Sequence, residues 1–305
     1  MYAQTFIPSA PLRIEAAAEP AMRHGMVGMS APLQRLLAQM ERIGPYFRTA
    51  LVTGEGGTGK EMVARGLHVL SQRSGGPFVV CDAAAAAEPL TRFEAARGGT
   101  LFLDEVGEVP LTIQARLLHV LHQYRPGSAA ARPTDALIVA SSSRDLKGMC
   151  AAGEFRKDLY YRLALVELKV HPLRDRGVDI VVLSRYFARQ FAVIRGKEIT
   201  AVGPAALAAL AAYPWPGNVR ELQQVLCKAV MHCTGDTIQL EDLPPLSSLP
   251  PRVQTAHQSD VPTRLDEMVH RHVRTVMESC GGNKLRAADL LGISRSTLYR
   301  MLEHS

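Results

Sequence analysis

ALVTGEGGTGKEMVARGLHVL, residues 50–70, decides the fold. An apolar run, a glycine-rich turn and a helical segment follow one another without a break, which reads as strand, loop and helix. Within it, Gly54, Gly59 and Lys60 stand at the spacing Gly-x-x-x-x-Gly-Lys. Glycines at this spacing let backbone N–H groups wrap an anion at a helix N-terminus, where the dipole also favours negative charge. Lys60 then adds a point charge for the outer phosphates of a nucleotide. Glu61 stands where the motif ordinarily carries a hydroxyl for magnesium.

A second anchor lies downstream. GGTLFLDE, residues 98–105, brings an apolar strand to paired carboxylates at its C-terminal end, the edge at which α/β sheets bind ligands. Asp104 is suited there to hold Mg²⁺ and Glu105 to polarise an attacking water. Acidic strand ends are common, so the string is weak alone and strong behind a phosphate-binding loop. PFVVCD, DALIVASS and LVELKV are further strand candidates, and helical segments follow most of them, as in an α/β fold with a largely parallel sheet.

The 305 residues divide by pattern. Residues 1–25 read as a flexible tail, 26–177 as an α/β unit, 178–243 as a helical section, 244–263 as a Pro/Ser-rich linker, and 264–305 as a compact helical tail. A hydrophobic fraction of 47% with 21% charge suits a globular chain, and no apolar run reaches bilayer length, so no membrane partner is expected. The N-terminus lacks a secretory pattern, which makes the cytoplasm the expected compartment. The five cysteines form no Cys-x-x-Cys pair and read as reduced thiols; Cys227 and Cys233 near His232 read as a helix face, not a zinc site. The formal charge of +6 permits a polyanionic partner without establishing one.

GEGGTGKE, GGTLFLDEVGEVPLTIQARLLHVL, FRKDLYYRL, HPLRDRGVDI and YPWPGNVRELQ together resemble the AAA+ domain of the bacterial enhancer-binding proteins that activate sigma-54 RNA polymerase. The resemblance implies an AAA+ P-loop NTPase core with a parallel sheet and helical lid, with ATP and Mg²⁺ as cofactors. It implies nucleotide-binding positions at Val27, Gly28, Gly54, Glu55, Gly56, Gly57, Thr58, Gly59, Lys60, Glu61, Met62 and Arg220, the last sensing nucleotide from the lid. The family also carries Glu after the loop lysine, so magnesium would rely on Asp104, water and the phosphates. Arg156 and Arg162 match arginines that reach a neighbouring subunit's ATP, where guanidinium stabilises charge on the transferred phosphoryl group. From spacing alone, the two read equally well as surface salt bridges.

The chain departs from the family in one region. Between Asp82 and Gly98 the family carries a long insertion whose Gly-Ala-Phe-Thr-Gly-Ala loop grips sigma-54; here the fifteen residues 83–97, AAAAAEPLTRFEAAR, fill that interval. The family also has Asn at the position of Asp82, and Asn after Thr where Ser142 and Ser143 stand. Asp82 cannot donate that amide's hydrogen bond when ionised, and its charge would repel Glu105. ATP binding is thus expected to survive. The coupling of hydrolysis to remodelling is expected to be eroded, and the chain is not expected to grip sigma-54. Whether it is an ATPase of useful rate is left open by the sequence.

MVHRHVRTVMESCGGNKLRAADLLGISRSTLYRMLEHS closes the chain and resembles the Fis-type helix-turn-helix of these regulators. Ser294 caps a final helix on which Arg295, Ser296, Thr297, Tyr299 and Arg300 can face a major groove, while Lys284 and Arg286 are placed to meet phosphates. A three-helix bundle for protein contacts is the alternative. The expectation is a transcription regulator that binds double-stranded DNA as a dimer through this tail, with a hexameric AAA+ ring and an RNA polymerase contact both compatible with the resemblance. No receiver or sensory domain is expected ahead of it. The alternative function is a DNA-binding repressor or sigma-70 regulator in which ATP controls only oligomeric state.

Overall fold

A computed structural model describes residues 22–83, 89–123 and 136–246. The chain divides into two compact units, Met1–Arg252 and Val253–Ser305. The expected DNA-reading residues Lys284, Arg286, Ser294, Arg295, Ser296, Thr297, Tyr299 and Arg300 all lie outside the described residues.

Five strands, β1 (Thr49–Thr53), β2 (Phe78–Asp82), β3 (Thr100–Asp104), β4 (Leu137–Ser142) and β5 (Glu167–Lys169), form one sheet in the order β2-β3-β4-β1-β5. Every pairing in it is parallel. Each strand falls on one of the five apolar runs picked out by sequence. The helices are α1 (Ala31–Ile43), ahead of β1, then α2 (Lys60–Leu70), α3 (Pro89–Ala95), α4 (Leu111–Gln123), α5 (Leu146–Ala152) and α6 (Lys157–Leu163) between the strands.

Parallel strands buried on both faces carry apolar residues on both. Leu51, Leu101, Leu103, Ile138 and Ala140 pack with Leu117, Leu121 and Leu159 on one side. Ala50, Val52, Phe102, Val139 and Leu168 pack with Leu37, Met40, Val63 and Leu67 on the other. The two-residue period of a strand makes this division. The end of the short 83–97 connection is tied into the first cluster, because Phe93 and Ala96 are fully buried there.

A helical lid follows: α7 (Gly177–Arg195), α8 (Pro204–Ala212) and α9 (Asn218–His232). Trp215 is its centre, wholly buried, with the indole N–H donating to the Leu210 carbonyl at 2.8 Å. Lys197 closes α9 by donating to the carbonyls of Val230, Met231 and Cys233, the end of a helix that attracts cations. Two strands of two residues each, β6 (Ala201–Val202) and β7 (Thr237–Ile238), pair beside it. Residues 22–25, read from sequence as tail, form a tight turn closed by an Arg23–Met26 bridge and fastened by Arg23 and His24 to Glu41. Among the described residues, no helix is long and apolar enough to cross a membrane.

Candidate nucleotide-binding site

The cleft sits where the sheet ends, between the C-terminal edges of β1 and β3 and the lid, and encloses about 480 Å³. This lies within the ordinary size range of a small-molecule site. The turn between β1 and α2 forms its floor. Gly59 precedes α2 with φ of 102° and offers no capping side chain, so the first N–H groups of α2 face the cleft without an internal partner. Thr58 Oγ1 donates to the Glu55 carbonyl at 2.7 Å and holds the turn closed.

Lys60 is only 6% exposed. Its ammonium group donates to the carbonyls of Gly54 at 2.9 Å and Glu55 at 3.3 Å, and pairs with Glu105 Oε1 at 2.8 Å. The lysine of the glycine loop and the glutamate of the β3 end are therefore one ion pair. Glu105 is itself set by its backbone, in the left-handed region at φ 52°. Its Oε2 accepts from Ser143 N at 2.7 Å and from Ser143 Oγ at 2.9 Å.

The serines after β4 divide their work by strand geometry. Ser141 and Ser143 point one way: Ser141 Oγ donates to Asp104 Oδ1 at 2.5 Å and accepts from Glu105 N at 3.0 Å. Ser142 points the other way and is wholly buried, its hydroxyl exchanging hydrogen bonds with the backbone of Arg144. Sequence reasoning puts Ser142 beside the chemistry; side-chain alternation puts Ser141 there instead. Asp82 is exposed and stands in register with Asp104 across β2 and β3.

The lid is latched onto the phosphate loop by Arg174 and Asn218, which sequence reasoning takes only as motif letters, together with Glu55, Gly57 and Arg220, read there as nucleotide-binding positions. Gly57, at φ 76°, lies so close to the lid that an added Cβ would sit 2.3 Å from the Gly217 carbonyl. Arg220 N donates to Gly57 O at 3.2 Å, and Arg220 lines the cleft. Glu55 is gripped by Arg174 and by Asn218 Nδ2, and its carboxyl is held below the usual glutamate range, chiefly by the Arg174 hydrogen bonds. Asn218, fully buried at φ 51°, also donates to Gly56 O at 3.0 Å and accepts from Leu173 N at 2.7 Å.

Asn218→Ala is expected to cost about 4 kcal/mol in urea unfolding. Its three hydrogen bonds contribute about 1 kcal/mol each, and alanine adds the strain of a left-handed backbone. Asn218→Gly keeps the backbone relaxed and should lose only the hydrogen-bond part. A loss below about 1 kcal/mol for the alanine variant would mean the latch does not form in solution.

The remaining predicted positions fall on both sides of the cleft wall. Val27 and Met62 line it. Gly28 lies behind it, where an added Cβ would meet Leu33 and Asp179. Glu61 borders the cleft, but its carboxylate is paired with Arg65 at 2.6 Å, one helical turn on. Asp104 lines the cleft, and one of its carboxylate oxygens accepts from Ser141.

Arg156 and Arg162 do not line the cleft. Arg156 is 43% exposed in a two-point pair with Asp158, its backbone held by the buried Gln114; Arg162 donates to the Leu121 carbonyl.

Comparison with known proteins places this geometry. The sigma-54 interaction domain family matches residues 26–94 and 90–169, an AAA+ ATPase lid domain matches 174–260, and the bacterial regulatory protein Fis family matches 269–303. The transcriptional regulatory protein ZraR of Klebsiella oxytoca is 38% identical over 93% of this chain and 69% of its own. The sigma54-dependent transcriptional activator SfnR of Pseudomonas putida is 36% identical over 86% of this chain and 83% of its own. The crystal structure of NtrX from Brucella abortus in complex with ATP superposes with a TM-score of 0.65 at 32% identity, covering 92% of this chain and 68% of that one. NtrX in complex with ADP gives 0.66 at 31% identity, over 92% and 69%.

Proposed function

The chain belongs to the family of sigma-54-dependent transcriptional regulators, built from a sigma-54 interaction domain, an AAA+ lid and a Fis-family helix-turn-helix, and from that premise we propose that it binds DNA and ATP but does not remodel sigma-54 polymerase. One observation carries the reading: the connection between Asp82 and Gly98 is fifteen residues, 83–97. The family's sigma-gripping loop has no counterpart in that interval, and the match to the sigma-54 interaction domain breaks into two stretches that meet at residues 90–94.

ATP is bound with Lys60 and the α2 N-terminus at its phosphates and Arg220 over it from the lid. Asp104 would hold Mg²⁺, which neutralises charge on the phosphates when bound; Glu61, turned to Arg65, would not. Glu105 orients water, and Ser143 holds Glu105 in place. Arg156 and Arg162 act in a neighbouring subunit's cleft, a reading supported by their position away from their own. The tail 264–305 dimerises and binds DNA in the cytoplasm, with Arg295, Ser296, Thr297, Tyr299 and Arg300 facing the groove, Ser294 capping their helix, and Lys284 and Arg286 on phosphates.

The test is a mixture of the purified full chain with sigma-54 and a non-hydrolysable ATP analogue, run on a sizing column. The two proteins should elute separately. Stoichiometric co-elution that requires the nucleotide would overturn the reading.

A further inference from the structure

Arg176 is a buried cation that the site described above leaves unused. It follows the turn Leu173–Asp175, precedes the first residue of α7, lines the cleft, and is only 5% exposed. Its Nε and Nη2 have no hydrogen-bond partner, and no other buried side-chain nitrogen or oxygen among the described residues shares that condition. Asp179, whose charge acts on Arg176, is already in use: its Oδ1 accepts from Met29 N at 2.6 Å and Ser30 N at 2.7 Å, and Oδ2 accepts from Ser30 Oγ at 2.6 Å. Burial pulls the Arg176 guanidinium below its ordinary value, against the opposing charge of Asp179. Charged donors left buried and unpaired are costly, so they persist where a ligand supplies acceptors.

The position within the cleft says which acceptors. Arg174, two residues earlier, reaches Glu55 in the phosphate loop, and Asp179, three residues later, holds Met29 and Ser30 beside Val27 at the other end. Arg176 stands in the chain between these two anchors and lines the same cleft as the loop that wraps phosphates and the apolar residues Val27, Leu183 and Phe187. In a nucleotide, the sugar and the phosphate attached to it occupy the interval between the outer phosphates and the base. Nε–H and Nη2–H stand side by side as a fork, which fits two acceptor oxygens. Adenine's Hoogsteen edge sets one acceptor next to a donor and does not match; the two non-bridging oxygens of a phosphate do.

We propose that Arg176 binds the α-phosphate of the nucleotide, with Nε and Nη2 each donating to a non-bridging oxygen. The proposal rests on reading the cleft as a nucleotide site. It makes the lid respond to any nucleotide with an α-phosphate, ADP as well as ATP, independently of contacts to the γ-phosphate.

The experiment uses the full chain and Arg176→Met, with adenosine, AMP, ADP and ATP each competing against fluorescently labelled ADP. AMP, ADP and ATP should all weaken by one common factor, about thirtyfold, and adenosine should be unchanged. The unliganded variant should melt at the same temperature or higher, because a buried unpaired charge has been removed. A structural role would instead lower the melting temperature and weaken adenosine along with the rest. Should the methionine variant fail to fold, Arg176→Lys keeps the charge and loses the fork, and the same common loss on the three phosphorylated competitors is expected. Unchanged AMP binding, or an equal loss for adenosine, overturns the proposal. Wild-type protein that takes no labelled ADP overturns the nucleotide reading itself, and does so before any variant is compared.

Discussion

Lys60→Ala is expected to abolish nucleotide binding, by about a hundredfold or more, while the fold survives. The ammonium group lies in the turn that faces the cleft, and each charge-assisted hydrogen bond to a phosphate contributes about 1.5–3 kcal/mol. Two such bonds are enough for the predicted loss. The fold should persist because α2 is anchored by Val63, Ala64 and Leu67, all buried, and not by the lysine. Titration with a labelled ATP analogue measures the loss, and circular dichroism checks the fold. Binding retained by the alanine variant would place the nucleotide elsewhere on the molecule.

Glu105→Gln separates binding from turnover. A positioned general base contributes about 10²–10⁴ in rate, so any ATP hydrolysis by the protein should fall by at least a hundredfold. Nucleotide affinity should hold or rise. Glu105 competes with the phosphates for Lys60, which it holds at 2.8 Å, and a neutral amide competes less. Phosphate release and analogue binding on one preparation settle both halves. A variant that loses affinity would show that Glu105 supports the ligand instead of vying with it for Lys60.

The sheet was legible because strands and a glycine turn leave local traces. PFVVCD, GTLFLDE and ALVTG needed no partner to be read, and each coincides with the strand expected. The strands at Ala201–Val202 and Thr237–Ile238 left no trace, since two residues carry no period. The two carboxylates at the end of β3 and the loop lysine were also readable, and the structure gathers Lys60, Asp104, Glu105 and Arg220 around one cleft. The latch was not. Asn218 meets Glu55 and Gly56 across more than 160 residues of chain, and Asp179 meets Ser30 across 149; no local pattern encodes such contacts. Ser141 was not picked out, because its contact with Asp104 depends on which face of β4 it takes at the strand's end. Arg176 had no signal beyond its place in HPLRDRGVDI, since an unpaired donor is visible only once its surroundings are built.

The central claim, that this regulator lacks the means to drive sigma-54 polymerase, is tested most directly by open-complex formation. A purified system would contain sigma-54 polymerase, ATP and Mg²⁺, and a template joining the protein's own binding site to a sigma-54 promoter. Permanganate footprinting then reports melted DNA. The proposal turns on length: only the fifteen residues 83–97 lie between Asp82 and Gly98, where the resemblance implies a sigma-gripping loop. The expected result is an occupied binding site and a closed promoter at every ATP concentration. A promoter that opens with wild-type protein and stays closed with Glu105→Gln would contradict the account.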